Sequence, residues 1–231
     1  MATESPIADV EDVGLAESTV AADDADLVLP PLPQPRRGQL LAESWCGVKT
    51  ILIVIAIVLL MTHLVILNED AGVLSATARR ACLAIVYAEV AVTLLSLERL
   101  LRGDPGTIKR SDATSRPIPA AVADALRRYP NAPEVVGISS NVEDPVLGSY
   151  CVRCCVWRRP RSKSHHCSLC QRCVVDFDHH CSFYGRCIAG VCRPTKMTGN
   201  LPYFYLILAM GQAAFFTCVV FLGLALFGRH T

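Results

Sequence analysis

Between residues 151 and 192 the chain reads CVRCCVWRRPRSKSHHCSLCQRCVVDFDHHCSFYGRCIAGVC, a stretch holding nine of its twelve cysteines and four of its six histidines. The spacing is that of metal ligands: Cys151-x2-Cys154, then Cys167-x2-Cys170-x2-Cys173, then Asp178-His179-His180-Cys181, then Cys187. Zinc takes four soft or borderline ligands in a tetrahedron, and a CxxC turn sets two thiolates on one ion. Twelve cysteines can also mark a secreted disulfide framework, but clustering with interleaved histidines favours reduced thiols and zinc on a cytosolic face. Two zinc modules do not fit. A RING domain wants a Cys-x-His step and a closing CxxC, and an RNA-binding knuckle wants CxxCx4Hx4C; neither occurs here. Flanking apolar spans argue against a nucleic-acid partner.

The elements that must hold this stretch are long apolar runs. Hydrophobic residues make up 52% of 231, and they concentrate in blocks rather than recur at a strand or helix period. Residues 51–67 form the first block, giving about 26 Å of helix; adding residues 45–50 reaches the ~30 Å of a bilayer core. His63 lies near its far end, within reach of headgroups, and has no functional role in this reading. The second block, residues 81–97, is bracketed by Arg79, Arg80, Arg99 and Arg102 and carries Glu89 at its middle. An intramembrane carboxylate is costly, so Glu89 either bonds a neighbouring helix or lines a cavity. Residues 201–227 form the third block, broken only by Pro202, Gln212 and Thr217, with Tyr203 and Tyr205 suited to an interfacial belt. Residues 228–231 follow it.

Residues 1–44 hold nine Asp/Glu against two Arg and end in a Pro cluster at residues 30–35, which predicts a disordered tail with a stiff polyproline spacer. No basic segment precedes an early apolar core, so no cleavable signal peptide is expected. Asp104-Pro105-Gly106 stops the second helix. Residues 107–150 are polar and irregular, except that residues 119–129 predict one amphipathic helix with Pro at its start. No internal repeat is evident. The net charge of +1 hides a basic region: residues 148–200 carry nine Lys/Arg against two Asp. That excess puts the segment between the second and third spans in the cytosol, with residues 68–80 as a lumenal loop.

These residues resemble the DHHC family of protein S-acyltransferases, membrane enzymes that attach palmitate to protein cysteines. The resemblance covers Pro160, His166-Cys167, the CxxCxxC run, Asp178-His179-His180-Cys181, Cys187, Asn200 and Phe204, and outside the cluster the DPG at residues 104–106. It implies an all-α multi-pass membrane protein with an irregular, zinc-ordered cytosolic cysteine-rich domain. The corresponding segments are a tail (1–44), a first span (45–67), a second span (81–101), a linker (102–147), the zinc domain (148–200) and a third span (201–227). The family usually has four spans and a TTxE motif after the fourth; three spans are visible here, and that motif is not.

The family pattern, carried over residue by residue, implies two structural zinc ions. One is held by Cys151, Cys154, His166 and Cys173, the other by Cys167, Cys170, His180 and Cys187. The first half departs from the pattern, because the spacing from Cys154 to Cys167 is two residues longer than the family's, and Cys155 and His165 are neighbouring alternatives. The resemblance leaves Cys181 as the nucleophile toward palmitoyl-CoA or another fatty acyl-CoA, His179 as its base and acid, and Asp178 as the group orienting His179. This is Cys-His-Asp logic. Arg158, Arg159, Arg161 and Lys163 are candidates for CoA phosphates or anionic headgroups. Implied partners are substrate proteins with membrane-proximal cytosolic cysteines, at Golgi, ER or plasma membrane. Two departures bear on the substrate side: Ser182 to Arg186 replaces the family's Pro-Trp and Asn, and residues 191–198 form an eight-residue insertion. The competing reading is an inactive or truncated relative, acting as a membrane-anchored zinc-binding interaction protein.

Overall fold

The computed structural model describes residues 24–66, 75–193 and 195–227. In chain order its helices are α1 (Arg37–Ile66), α2 (Ala76–Arg102), α3 (Asp112–Ser115), α4 (Ala120–Arg128) and α5 (Leu201–Phe227). Between α4 and α5 lie β1 (Val142–Asp144), β2 (Gly148–Cys151), β3 (Val156–Arg158), β4 (His165–Cys167), β5 (Arg172–Val174), β6 (Phe177–Cys181), β7 (Arg186–Ala189), β8 (Cys192–Arg193) and β9 (Lys196–Met197).

α1, α2 and α5 are each long and apolar enough to cross a membrane. Helices suit that role because hydrocarbon offers backbone groups no other partner. α5 packs against both α1 and α2, and α1 packs against α2. Hydroxyls inside the bundle turn back on their own helix: Thr62 donates to the Val58 carbonyl at 2.7 Å and Thr93 to the Glu89 carbonyl at 2.8 Å. Glu89 meets Thr217 of α5 and also borders a cavity of about 40 Å³ with Ile51, Val58, Ile207 and Met210, so both alternatives for it hold together. His63 and Tyr87 join α1 to α2 through a 3.3 Å hydrogen bond.

The region expected to be irregular is instead a series of short antiparallel hairpins. β1-β2-β3 form a meander, and β4-β5, β6-β7 and β8-β9 form separate pairs. Strands this short bury little by themselves. α4 supplies one core, laying Val122, Ala123 and Leu126 against Tyr150, Val152 and Trp157. The Trp157 indole donates to the Pro117 carbonyl at 2.7 Å and meets Tyr150 edge-on at 5.0 Å. The amphipathic helix over residues 119–129 is thus present, with Pro119 at its N-cap.

The tail differs from expectation beyond residue 23; residues 1–23 lie outside the described residues, as do 67–74 and 228–231. α1 begins at Arg37, so its first two turns project past the apolar run. Residues 24–36 form a strap over the hairpins rather than a free spacer. Arg110, Arg116 and Arg172 hold it by donating to its carbonyls: Arg110 to Pro30 at 2.5 Å, Arg116 to Asp24, Ala25 and Leu27, and Arg172 to Pro33 at 2.7 Å. The Asp24 carboxylate pairs with Arg116 at 3.2 Å and accepts the Ile118 amide at 2.5 Å. Leu27 and Leu29 join the α4 core. Composition predicted disorder because most of the strap's polar anchors are guanidinium-to-carbonyl bonds, which leave no pattern in its own residues, and its few side-chain anchors, Asp24, Leu27 and Leu29, form no period.

Removing the Asp24 carboxylate takes away the ion pair with Arg116, which keeps its carbonyl acceptors, and leaves the Ile118 amide without its acceptor, a cost of about 2–3 kcal/mol. Asp24→Ala is therefore expected to speed limited tryptic cleavage at Arg36 by roughly 30-fold or more, since cleavage follows the population of the opened strap. Cleavage at the wild-type rate would show that the ion pair does not hold the strap down.

Candidate functional site

Each cysteine hairpin turns in the same way. Cys151, Cys167 and Cys181 each end a strand, and each pairs with the residue five positions later: Val156, Arg172 and Arg186. Before that partner stands a residue in the left-handed region, Cys155 (φ 51°), Gln171 (φ 53°) and Gly185 (φ 61°). The first two turns close with a 2.7 Å amide bond from that residue back to Cys151 or Cys167, whereas the third closes one residue earlier, from Tyr184 to Cys181 at 3.1 Å. Residues 165–173 (HHCSLCQRC) and 179–187 (HHCSFYGRC) agree at six of nine positions. An internal repeat is therefore present, contrary to the expectation of none.

Side-chain alternation along these hairpins sorts the ligands. The Nδ1 of His166 lies 3.6, 3.2 and 3.9 Å from the sulfurs of Cys151, Cys154 and Cys173. The Nδ1 of His180 lies 3.4, 3.5 and 3.9 Å from those of Cys167, Cys170 and Cys187. In each set all four ligand atoms lie within 4.8 Å of one another. A zinc tetrahedron with bonds of about 2.3 Å to sulfur and 2.05 Å to nitrogen has S···N edges of about 3.6 Å and S···S edges of about 3.8 Å. Both clusters fit zinc by size and donor type.

Electrostatics point the same way. Thiol donation from Cys154 and Cys173 holds the Cys151 thiol far below its usual range, and donation from Cys170 and Cys187 does the same for Cys167. Cys173 and Cys187 are driven far up because they donate to those thiolates. Burial disfavours a charged His166, but the Cys151 and Cys154 sulfurs outweigh it and raise that imidazole to about 9. Without a metal the sulfurs of each cluster share protons in this way; with all three as thiolates, a cation among them would be needed. The alternatives fall away: burial pushes Cys155 up to about 11 within the α4 core, while His165 lies outside and packs on Phe177 at 4.8 Å.

The second nitrogen of each clustered imidazole is also engaged. With Nδ1 turned to the sulfurs, Nε2–H of His166 donates to Gln171 at 3.3 Å. Nε2–H of His180 donates to the Glu43 carboxylate at 3.2 Å, with both side chains largely buried. Glu43 stands on the projecting turns of α1 and also accepts Gln39 at 2.8 Å. Such outer partners fix the tautomer and ring orientation of a metal-binding histidine. Glu43 was not among the sequence candidates; its only signal was an acidic residue ahead of an apolar run. Leu32 of the strap packs on the first cluster, so the N-terminal segment touches both.

Strand β6 faces two ways. Its pairing is regular from His179 to Cys181, so His180 turns to the metal side while His179 and Cys181 share the other. A register shift between Phe177 and His179 makes Asp178 a bulge, and its carboxylate bonds His179 Nδ1 at 2.8 Å, a contact that neighbours in a regular strand do not make. The His179 ring stands edge-on to Phe204 of α5 at 5.4 Å. Cys181 is half-buried against a cluster of Leu97, Leu100, Tyr184, Leu201 and Ile207, where the hairpin meets all three long helices. Asp178, His179 and Cys181 thus lie on one strand beside an apolar wall, outside both sulfur clusters.

Docking of this turn on the helices is close. A Cβ on Gly47 of α1 would overlap the Phe183 carbonyl oxygen, and one on Gly185 would overlap that of Leu40. Arg186, expected to alter the substrate side, instead donates to the Leu101 carbonyl and, at 2.5 Å, to Gly103, capping the C-terminus of α2. After α2, Asp104 accepts the Gly106 and Thr107 amides at 3.0 and 2.8 Å, and Gly106 accepts the Val175 amide at 2.9 Å. Burial works against a charged Asp104, yet those bonds and nearby Lys109 still hold its carboxyl below the usual value. Asn200 is fully buried; its side chain donates to the Cys187 carbonyl and accepts the Ala189 amide, both at 2.9 Å. The insertion at 191–198 leaves the domain as the β8-β9 hairpin.

The basic residues divide. Arg158, Arg159 and Arg161 line an open cleft of about 270 Å³ with Ser149, Ser162 and Ser164, while Lys163 is not among its lining. Arg158 donates to Ser149 and its buried Nε has no partner among the described residues. The cleft is tied to the front of β6 by the Phe177 amide, which donates to the Lys163 carbonyl at 2.8 Å.

Residues 146–229 match the family model described as DHHC palmitoyltransferase. No curated protein matches the chain.

Loss of the Glu43 carboxylate is expected to loosen one ion and not the other. Outer-shell substitutions typically cost 10–100-fold in metal affinity. Glu43→Ala should therefore release one of two zinc ions to a chelating dye about 10–100-fold faster. Glu43→Gln, which retains an acceptor, should lie near the wild type. Equal release of both ions from Glu43→Ala would remove Glu43 from any role at the metal.

Proposed function

We propose that this chain, whose residues 146–229 match the DHHC palmitoyltransferase model, is a protein S-acyltransferase working through an acyl-enzyme on Cys181. The carrying observation is the two-faced β6. The strand that sends His180 into a Cys3His cluster presents His179 and Cys181 on its opposite side, beside the apolar wall of α1, α2 and α5. In this reading two zinc ions, held by Cys151, Cys154, His166 and Cys173 and by Cys167, Cys170, His180 and Cys187, are structural. Bound zinc neutralises the thiolates and locks the hairpins; the chemistry belongs to the other face.

An unperturbed thiol is mostly protonated at neutral pH and needs a base. His179 takes the Cys181 proton, and Asp178 holds the imidazole through its 2.8 Å bond and stabilises the imidazolium. The Cys181 thiolate attacks the thioester carbonyl of a fatty acyl-CoA, the carbon–sulfur bond to CoA breaks, and the leaving thiolate takes the proton back from His179. A substrate cysteine then repeats the exchange and frees Cys181. The apolar cluster beside Cys181 suits the acyl chain, and the Arg158, Arg159 and Arg161 cleft suits the CoA phosphates, with Lys163 at its edge. The excess of Lys and Arg between α2 and α5 supports a cytosolic domain, acting on membrane-proximal cysteines.

Purified protein is expected to take up label from a clickable palmitoyl-CoA analogue, with the label released by hydroxylamine. Cys181→Ala should abolish uptake while two zinc ions per chain remain. Asp178→Asn should slow it by about 10²-fold or more. Undiminished labelling in Cys181→Ala would overturn the assignment. An unlabelled wild type with both zinc ions bound would favour a zinc-bearing interaction protein.

A further inference from the structure

The Cys181 turn matches the two turns that fit zinc in every backbone respect but its closing amide, and it lacks their ligands. In the first two, the residue three positions after the leading cysteine is again a cysteine, Cys154 or Cys170, and its sulfur enters a cluster. In the third that position is Tyr184. The repeat also fixes which residues would complete a site. The second cluster takes Cys167 and Cys170 from one hairpin, and His180 and Cys187 from the hairpin fourteen positions on. The same step from Cys181 and Tyr184 reaches Pro194 and Leu201, neither of which binds metal. Leu201 is in place nonetheless, in one apolar cluster with Tyr184 and Cys181. Tyr184 is 4% exposed, with rings of Phe183 at 4.9 Å and Phe204 at 6.3 Å.

We propose that the Cys181 turn is a third knuckle of the same series, its metal site replaced by an apolar cluster, and that Tyr184 is the positioning residue keeping the Cys181 thiol free. A thiolate inside a closed tetrahedral shell donates its lone pairs to the ion and does not attack a thioester. Replacing the second cysteine by a ring removes half of the chelate and fills its space. The leading cysteine keeps its rigid turn, and the would-be metal cavity becomes a surface fit for hydrocarbon. Only the use made of the free thiol rests on the acyl-transfer reading; the turn geometry does not.

The test restores the missing ligand. Tyr184→Cys creates a Cys-x2-Cys pair at 181 and 184, and phenylarsine oxide reports on it: two thiols displace the arsenical oxygen as water and form two As–S bonds, with no change of oxidation state. Zinc-loaded protein is treated with the arsenical, and alkylation at Cys181 is read by peptide mass spectrometry. In Tyr184→Cys the arsenical should lower that alkylation by about tenfold or more, because the second thiol binds intramolecularly, and dimercaprol should restore it. In the wild type and Tyr184→Phe the change should stay under about twofold, a single thiol giving no chelate. No protection in Tyr184→Cys that retains two zinc ions would overturn the proposal. If that variant loses zinc, Tyr184→His, which keeps an aromatic ring, is read with Cd2+ instead: protection of Cys181 supports a knuckle and its absence overturns it. Arsenical capture without acyl uptake by the wild type would overturn the transfer reading alone.

Discussion

Successive side chains of a β-strand point opposite ways, and β6 turns that rule into a division of labour. His180 can face the sulfurs of Cys167, Cys170 and Cys187 only while His179 and Cys181 face the helices. Any force that orients His180 therefore orients Cys181 as well. Glu43 holds the imidazole from behind, Cys187 pairs with it across the hairpin, and Asn200 grips the Cys187 carbonyl. The bulge at Asp178 is the one break in the alternation, and it puts a carboxylate on the nitrogen of its own neighbour.

The long helices and the hairpins meet through an apolar cluster and also through backbone. Arg186 and Asp104 bond main-chain groups at the end of α2, and the two glycines at the α1 contact bring carbonyl oxygens where a methyl group would not fit. Contacts of this kind transmit position more strictly than apolar surfaces, which slide. A domain whose described residues form four small sheets and no large one has little beyond these contacts and the apolar cluster to fix its tilt against the bundle.

What the sequence made legible follows from the range of each interaction. CxxC steps are local, so metal-ligand chemistry was readable from spacing while the sorting of cysteines into two sets came from the family resemblance, and apolar blocks long enough to span a bilayer need no partner to be recognised. The strap and the projecting turns of α1 were not readable. Their partners, Arg110, Arg116, Arg172 and His180, are distant in sequence and bind carbonyls or the two carboxylates of Asp24 and Glu43, which imposes no periodicity. Arg186 read as a change at the substrate surface because its partners lie at the far end of another helix. The repeat was hidden at the positions that define it to the eye: Tyr184-Gly185 stands where the earlier copy has Cys170-Gln171. Backbone conformation kept the likeness after the side chains had lost it.

The hairpin formed by residues 191–198 closes at its root. Gly190 and Gly199 lie so close that a Cβ on either would collide with the opposite backbone, and the Thr198 amide bonds the Val191 carbonyl at 2.9 Å. A loop whose ends are already joined passes no tension to what lies beyond them, and the entropy of a longer one grows only as the logarithm of its length. The junction between Cys187 and α5 is thereby insulated from whatever is inserted at this point. The chain has there a port where segments can be gained, lost or exchanged through descent without disturbing the strand that carries Cys181.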